Sequence, residues 1–149
     1  MSKVLTTVLL VVLAHLLSAC PAGGRPEPIE IVWNEDSCVE CRMAVSDRKF
    51  GCETISADRI ASPYDDIGCL VEWCRRSGVP EGGAAYVRDF DSQQWIAAEG
   101  AFYLFAKELP TPMSYGLAAF GARESAEQAA QQWHGVVWDW TTLLKEWKP

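Results

Sequence analysis

Sulfur donors are concentrated in one short stretch of the chain, Asp36-Ser37-Cys38-Val39-Glu40-Cys41-Arg42-Met43. Two thiols and a thioether so close together are soft ligands, and the thioether in particular selects Cu(I) over Zn²⁺, Mg²⁺ or Ca²⁺. A Cys-x-x-Cys turn brings its two sulfurs near each other, and Met43, two residues past Cys41, points to the same side of an extended chain. After the initiator, the only other methionine is Met113. It stands in Thr111-Pro112-Met113-Ser114-Tyr115-Gly116, a loop bounded by Pro and Gly. Methionine used as core filler sits within apolar runs; neither Met43 nor Met113 does. Cys41, Met43 and Met113 together would form a trigonal three-sulfur site for Cu(I). Cys38 is left open between a fourth ligand, an exchange partner during transfer, and half of a disulfide with Cys41.

The remaining thiols divide by position. Cys69 falls in the first turn of a helix expected to be capped by Asp66, where unpaired amides and the helix dipole lower a thiol pKa. It is a candidate reactive thiol or ligand of a second ion, and burial as a small residue is the competing reading. Cys74 lies on the core stripe of the same helix, which favours structural burial, and Cys52 either pairs with it or stays free. His134 is the only histidine beyond the N-terminal leader, so a zinc site built on several histidines is excluded. No spacing of Ser, Asp or Glu suggests nucleophilic or paired-carboxylate catalysis, and the protein is read as a non-enzyme. The tryptophans read mostly as packing residues, with Trp33 and Trp73 as candidate shields of the sulfur loop.

These residues need elements to position them, and the chain supplies a repeated set. Asp66 can cap a helix carrying Ile67, Leu70, Val71 and Cys74, and Ser125 one carrying Ala126, Ala129, Ala130 and Trp133, with Gln128 completing a capping box. The four apolar positions stand at identical offsets from each cap, the stripe of a core-facing helix. Extended candidates at 51–57 and 60–64 precede the first helix and 84–90 follows it. The second helix is framed in the same way by 101–106, 115–120 and 136–140, and a short closing helix is expected over 141–147. The fold class is therefore α+β, two tandem ββαβ units at about 50–90 and 101–140. Each is too small to bury much surface alone, so the two should pack as one globule, with a shared site in the loops between them.

The N-terminus sets the compartment. Lys3, an apolar run from Val4 to Leu17, and Leu17-Ser18-Ala19-Cys20 describe a secretory signal over residues 1–19, too short for a membrane span. The Cys directly after Leu-Ser-Ala resembles a bacterial lipobox, with Cys20 lipidated as the new N-terminus. Residues 20–29, rich in Pro and Gly, read as a tether, and 30–149 as the folded domain. Such a protein would face the periplasm from a lipid anchor in the inner or outer membrane. Five thiols then remain beyond Cys20, an odd number that disulfides alone cannot absorb. Loss of Lys3 with the leader leaves 12 of 13 basic side chains against 20 acidic, net about −8, which argues against nucleic acid as a partner.

Taken together, Asp36-x-Cys38-x-x-Cys41-x-Met43, Tyr64-x-Asp66-Ile67-Gly68-Cys69-x-x-x-Trp73, Ala85-Tyr86-Val87 and Thr111-Pro112-Met113-x-x-Gly116-x-Ala118-Ala119-Phe120 resemble the NosL family. The resemblance runs from about Glu30 to Trp140. It implies a copper lipoprotein that delivers Cu(I) for maturation of nitrous oxide reductase through an ATP-driven (ABC-type) assembly transporter. It also implies a fold of two ββαβ units related to the organomercurial lyase MerB, and Cu(I) ligands at Cys41, Met43 and Met113. Cys52 and Cys74 stand outside the family pattern. The alternative reading is a periplasmic thiol–disulfide oxidoreductase acting through Cys38 and Cys41. An organomercurial-lyase-like enzyme would need an acid suited to protonolysis, and none stands out.

Overall fold

The computed structural model describes residues 24–149; the signal segment, Cys20 and residues 21–23 lie outside them. The chain runs β1 (Cys52–Ile55), β2 (Ala61–Tyr64), α1 (Ile67–Ser77), β3 (Ala84–Arg88), β4 (Trp95–Ala97), β5 (Phe102–Phe105), β6 (Leu117–Phe120), α2 (Arg123–Trp133), β7 (Val136–Asp139) and α3 (Trp140–Glu146). Two antiparallel sheets result, in the orders β2-β1-β3-β4 and β6-β5-β7. In both, the first strand of the ββαβ unit is central, flanked by its hairpin partner and by the strand that follows the helix. The two-unit α+β architecture expected from the repeated caps and stripes is the one observed.

β1 is buried along its whole length, as a central strand covered on both faces must be. α1 starts where the Asp66 carboxylate accepts the Gly68 N–H at 2.9 Å and ends at Gly78, whose φ of 74° suits glycine. Its stripe Ile67, Leu70, Val71 and Cys74 is buried as expected. α2 begins two residues before the expected cap. Ala122 holds the N-cap position with no side-chain bond, and Ser125 and Gln128 lie inside the helix rather than forming a capping box. The entry is set from outside: the Asp89 carboxylate accepts the Gly121 N–H at 2.7 Å and fixes the turn out of β6. α3 starts one residue early because the Asp139 carboxylate caps it, accepting the Thr142 N–H at 2.8 Å.

β4 lies outside the strands that the sequence predicts. It pairs antiparallel with β3 through a turn organised by the Asp89 carboxylate, which accepts the amides of Asp91 and Ser92. A strand of three half-buried residues carries too little alternation to be read from sequence. The two sheets meet where the Phe90 N–H donates to the Ala119 carbonyl at 2.8 Å. One core joins the units, with Cys52, Leu70 and Val87 from the first, Tyr103 and Leu117 from the second and Leu143 from the closing helix α3.

The expected tether becomes part of the domain from Arg25 onward. Arg25 pairs with Glu99 and stacks on Tyr86, the Tyr86 hydroxyl donates to the Pro26 carbonyl at 2.8 Å, and the Ile29 N–H donates to Glu53 at 2.7 Å. Glu53 is buried on β1, and burial pushes its carboxyl up to about 7 despite the Ile29 amide and the Arg88 charge. A carboxyl whose pKa is higher folded than unfolded adds stability that is complete below its ordinary 4.5 and lost as pH rises through about 7. Between those values the native chain should lose up to about 3 kcal/mol on this account. Glu53→Gln, which keeps an acceptor for Ile29, is expected to flatten that slope in urea unfolding followed from pH 4.5 to 8; parallel wild-type and variant profiles would refute the assignment.

Candidate metal centre

The sulfur loop is a closed turn. Ser37 and Ala44 form an antiparallel bridge, the Cys38 N–H donates to the Met43 carbonyl at 2.8 Å, and the Arg42 N–H donates to the Cys38 carbonyl at 3.0 Å. Arg42 takes the left-handed conformation, φ 67°, that lets the chain double back between Cys41 and Met43. The Cys41 N–H points at the Cys38 sulfur, 3.4 Å away, so the turn places an amide dipole on a sulfur as well as bringing two sulfurs together. The Val39 N–H, bonded to the Pro63 carbonyl at 3.0 Å, ties this turn to β2, and Glu40 reaches Arg76 on α1 in an ion pair.

α1 brings the third sulfur. The sulfur atoms of Cys38, Cys41 and Cys69 all lie within 4.8 Å of one another. Cys69 therefore joins the Cys-x-x-Cys pair in one cluster instead of marking a separate place. Cys38 and Cys69 are fully buried, Cys41 is half-buried, and the Met43 side chain is 56% exposed. The Cys69 S–H donates to Cys38, and together with the amides of Cys41, Asp65 and Glu40 this holds the Cys38 thiol down at about 5 in spite of burial. Cys69, which keeps the proton of that pair and is itself buried, is pushed up; Cys41 is raised chiefly by burial. Cys38 is thus the sulfur that ionises first.

The Thr-Pro-Met loop is fastened to the same helix start. The Thr111 hydroxyl accepts the amides of Tyr115 at 2.9 Å and Gly116 at 3.3 Å. Gly116, at φ 69°, is required because a Cβ there would stand 2.3 Å from the Ala106 carbonyl oxygen. One carboxylate oxygen of Asp66 caps α1 and the other accepts the Met113 N–H at 3.1 Å. The Tyr115 ring lies on Gly68, next to Cys69. Met113, half-buried, packs with Cys41 against the core that contains Cys38 and Cys69. Asp65 and Asp66, just before α1, are both buried, and burial raises their carboxyls.

Trp33 and Trp73, like Cys41 and Met113, pack against the core cluster that contains Cys38 and Cys69. Trp33 packs where Gly51 leaves room and lies under the Arg48 and Arg88 guanidiniums, and Trp73 packs on Tyr64 with ring centroids 6.2 Å apart. Cys52 and Cys74 are separate buried thiols: Cys52 donates to the Asp66 carbonyl at 3.6 Å, and burial raises Cys74 to about 12. All five thiols of the described residues are free. Asp66 is the residue that sequence reasoning undervalued, since it was seen only as a helix cap. No local spacing signals its second bond, because 47 positions separate Asp66 from Met113.

The chemistry this geometry allows is soft-ion coordination. Thiol–disulfide exchange needs an accessible thiolate, whereas here the readily ionised Cys38 is fully buried and the accessible Cys41 holds its proton. Five surface cavities of about 160–440 Å³ open elsewhere, and none is lined by Cys38, Cys41 or Cys69. No helix among the described residues is long and apolar enough to cross a membrane.

Comparison with known proteins agrees with this architecture. The crystal structure of the copper chaperone NosL from Shewanella denitrificans superposes with a TM-score of 0.65 at 15% identity, over 78% of this chain and 95% of that one. No curated protein sequence matches the chain. The NosL family model spans residues 28–147, which takes in the sulfur loop, the start of α1, the Thr-Pro-Met loop and both repeats. The chain belongs to the NosL family.

Proposed function

We propose that the protein is a lipid-anchored Cu(I) carrier of the bacterial envelope that passes copper to the machinery assembling a copper enzyme. The observation that carries this reading is the convergence of three cysteine sulfurs within 4.8 Å, with the exposed Met43 two residues after Cys41 and the Met113 amide bonded to Asp66, the cap of the helix that carries Cys69. Cys41, Met43 and Met113 are the ligands through which the ion is taken up and handed on. A site of one thiolate and two thioethers suits Cu(I), a soft ion, and an exposed Met43 lets a partner's ligand enter while the others still hold. Cys20 carries the anchor, and the periplasmic face is where the domain works. Family membership supports nitrous oxide reductase as the enzyme served and an ABC-type transporter complex as the receiver. The acidic balance of the chain is suited to a cation cargo and not to nucleic acid.

Anaerobic Cu(I) titration against a competing chelator tests the reading. The wild-type chain is expected to bind one Cu(I) far more tightly than Zn²⁺, and Met113→Leu, of similar volume, to weaken binding by roughly tenfold, about 1.4 kcal/mol, with little change in Tm. A redox protein would keep its affinity and activity without that thioether. Micromolar or weaker Cu(I) binding, or equal preference for Zn²⁺, would sink the carrier reading.

A further inference from the structure

The ligands proposed above use only one of the three clustered thiols. Cys38 and Cys69 are 0% and 1% exposed, lie behind Cys41, and have sulfurs within 4.8 Å of it and of each other. Three sulfurs around a trigonal ion at a metal–sulfur distance of about 2.3 Å stand about 4.0 Å apart. The cluster therefore needs to contract by less than about 1 Å to enclose an ion. The turn already directs the Cys41 amide at the Cys38 sulfur, and α1 delivers Cys69 from its first turn, so both buried sulfurs sit on fixed backbone.

Resting on the Cu(I) reading, we propose that the protein holds its ion at two stations that share Cys41. The outer station is Cys41, Met43 and Met113; the inner station is Cys38, Cys41 and Cys69. Transfer inward forms bonds from copper to the Cys38 and Cys69 sulfurs and breaks those to the two thioethers, while the Cys41 bond is kept. Copper stays Cu(I) throughout, and the proton shared by the Cys38–Cys69 pair is released to water. Transfer outward is the reverse. Two of the three sulfurs of the inner station, Cys38 and Cys69, are closed to solvent, whereas the outer one offers Met43, 56% exposed, to a partner's ligand. A carrier built this way retains its cargo in transit and yields it only when an incoming ligand engages the thioether side.

The two stations are separable by paired substitutions in the full chain, loaded anaerobically with one equivalent of Cu(I). The Met43→Leu/Met113→Leu chain is expected to bind one ion, roughly tenfold or more weaker than wild type as for Met113→Leu alone, with thiolate-to-copper ultraviolet absorption per bound ion no weaker than wild type's. The Cys38→Ser/Cys69→Ser chain should also bind one, with roughly a third of that absorption, and surrender it to a chelator roughly tenfold faster, affinity changes being felt mostly in the off-rate. Circular dichroism checks that each chain is folded, and Cys69→Ala, which leaves a small apolar residue in the buried position, serves if the double thiol variant is not. Loss of all Cu(I) binding in the methionine pair, or unchanged absorption and release in the thiol variants, overturns the inner station. Failure of the wild-type chain to bind Cu(I) overturns the proposed function itself, which keeps the two outcomes distinct.

Discussion

A Cys41→Ser chain is expected to lose Cu(I) affinity by about a hundredfold, about 2.7 kcal/mol, the largest single loss at the site. Cys41 belongs to both donor sets, so its removal leaves two thioethers on one side or two buried thiols on the other. A serine hydroxyl is a hard donor and does not replace a thiolate on Cu(I). The fold should be little affected, because Cys41 is half-buried at the surface of the sulfur loop and its amide, which bonds the Cys38 sulfur, remains. Substitutions at such positions move stability by about 0.5 kcal/mol. Chelator competition together with thermal unfolding of the apo chain checks both halves of the statement. A drop of less than about tenfold would mean that the ion does not depend on Cys41, and would count against the outer ligand set as well as the shared one.

Gly68→Ala should damage the same site without touching a sulfur. A Cβ at position 68 would lie 2.2 Å from Cδ2 and 2.7 Å from Cγ of Tyr115, and 2.8 Å from the Trp147 ring. Atoms so near the base of the Tyr115 ring cannot swing aside, because the Tyr115 amide is bonded to Thr111 and Trp147 is fully buried. The loop as a whole has to move, and Met113 moves with it. Alanine gains about 1 kcal/mol of helix propensity over glycine, and overpacking costs typically 1–3 kcal/mol. The net expectation is a Tm lowered by a few degrees with Cu(I) affinity weakened roughly tenfold. Adding Tyr115→Ala to the same chain restores the space; recovery of Cu(I) affinity in that double variant would trace the loss to the displaced loop. If Gly68→Ala alone binds Cu(I) as wild type does, the docking of the Thr-Pro-Met loop on α1 plays no part in holding the ion.

The local features of this protein were legible because their causes are local. Asp66 followed by Ile67, Leu70, Val71 and Cys74 is a cap and a stripe within three turns, and α1 forms on those residues with Asp66 as its cap. The second helix shows the limit of the same reasoning. Ser125 and Gln128 matched a capping box, yet α2 starts at Arg123 because Asp89, more than thirty positions away, fixes Gly121 and hence the turn into the helix. The fastening of Arg25, Pro26 and Ile29 depends in the same way on distant side chains, Glu99, Tyr86 and Glu53.

The sulfur site divides along that line too. By itself the sequence determined which donors exist: a Cys-x-x-Cys-x-Met loop, a second rare methionine in a Pro- and Gly-bounded turn, and a thiol at a helix start. Only the tertiary structure decided that Cys69 stands with Cys38 and Cys41, and that one aspartate fastens both α1 and Met113. Residue type and short spacing encode softness, turn and cap. Proximity across 31 positions between Cys38 and Cys69, or across 47 between Asp66 and Met113, is set by sheet register and by a core shared between two units, which no short stretch of sequence contains.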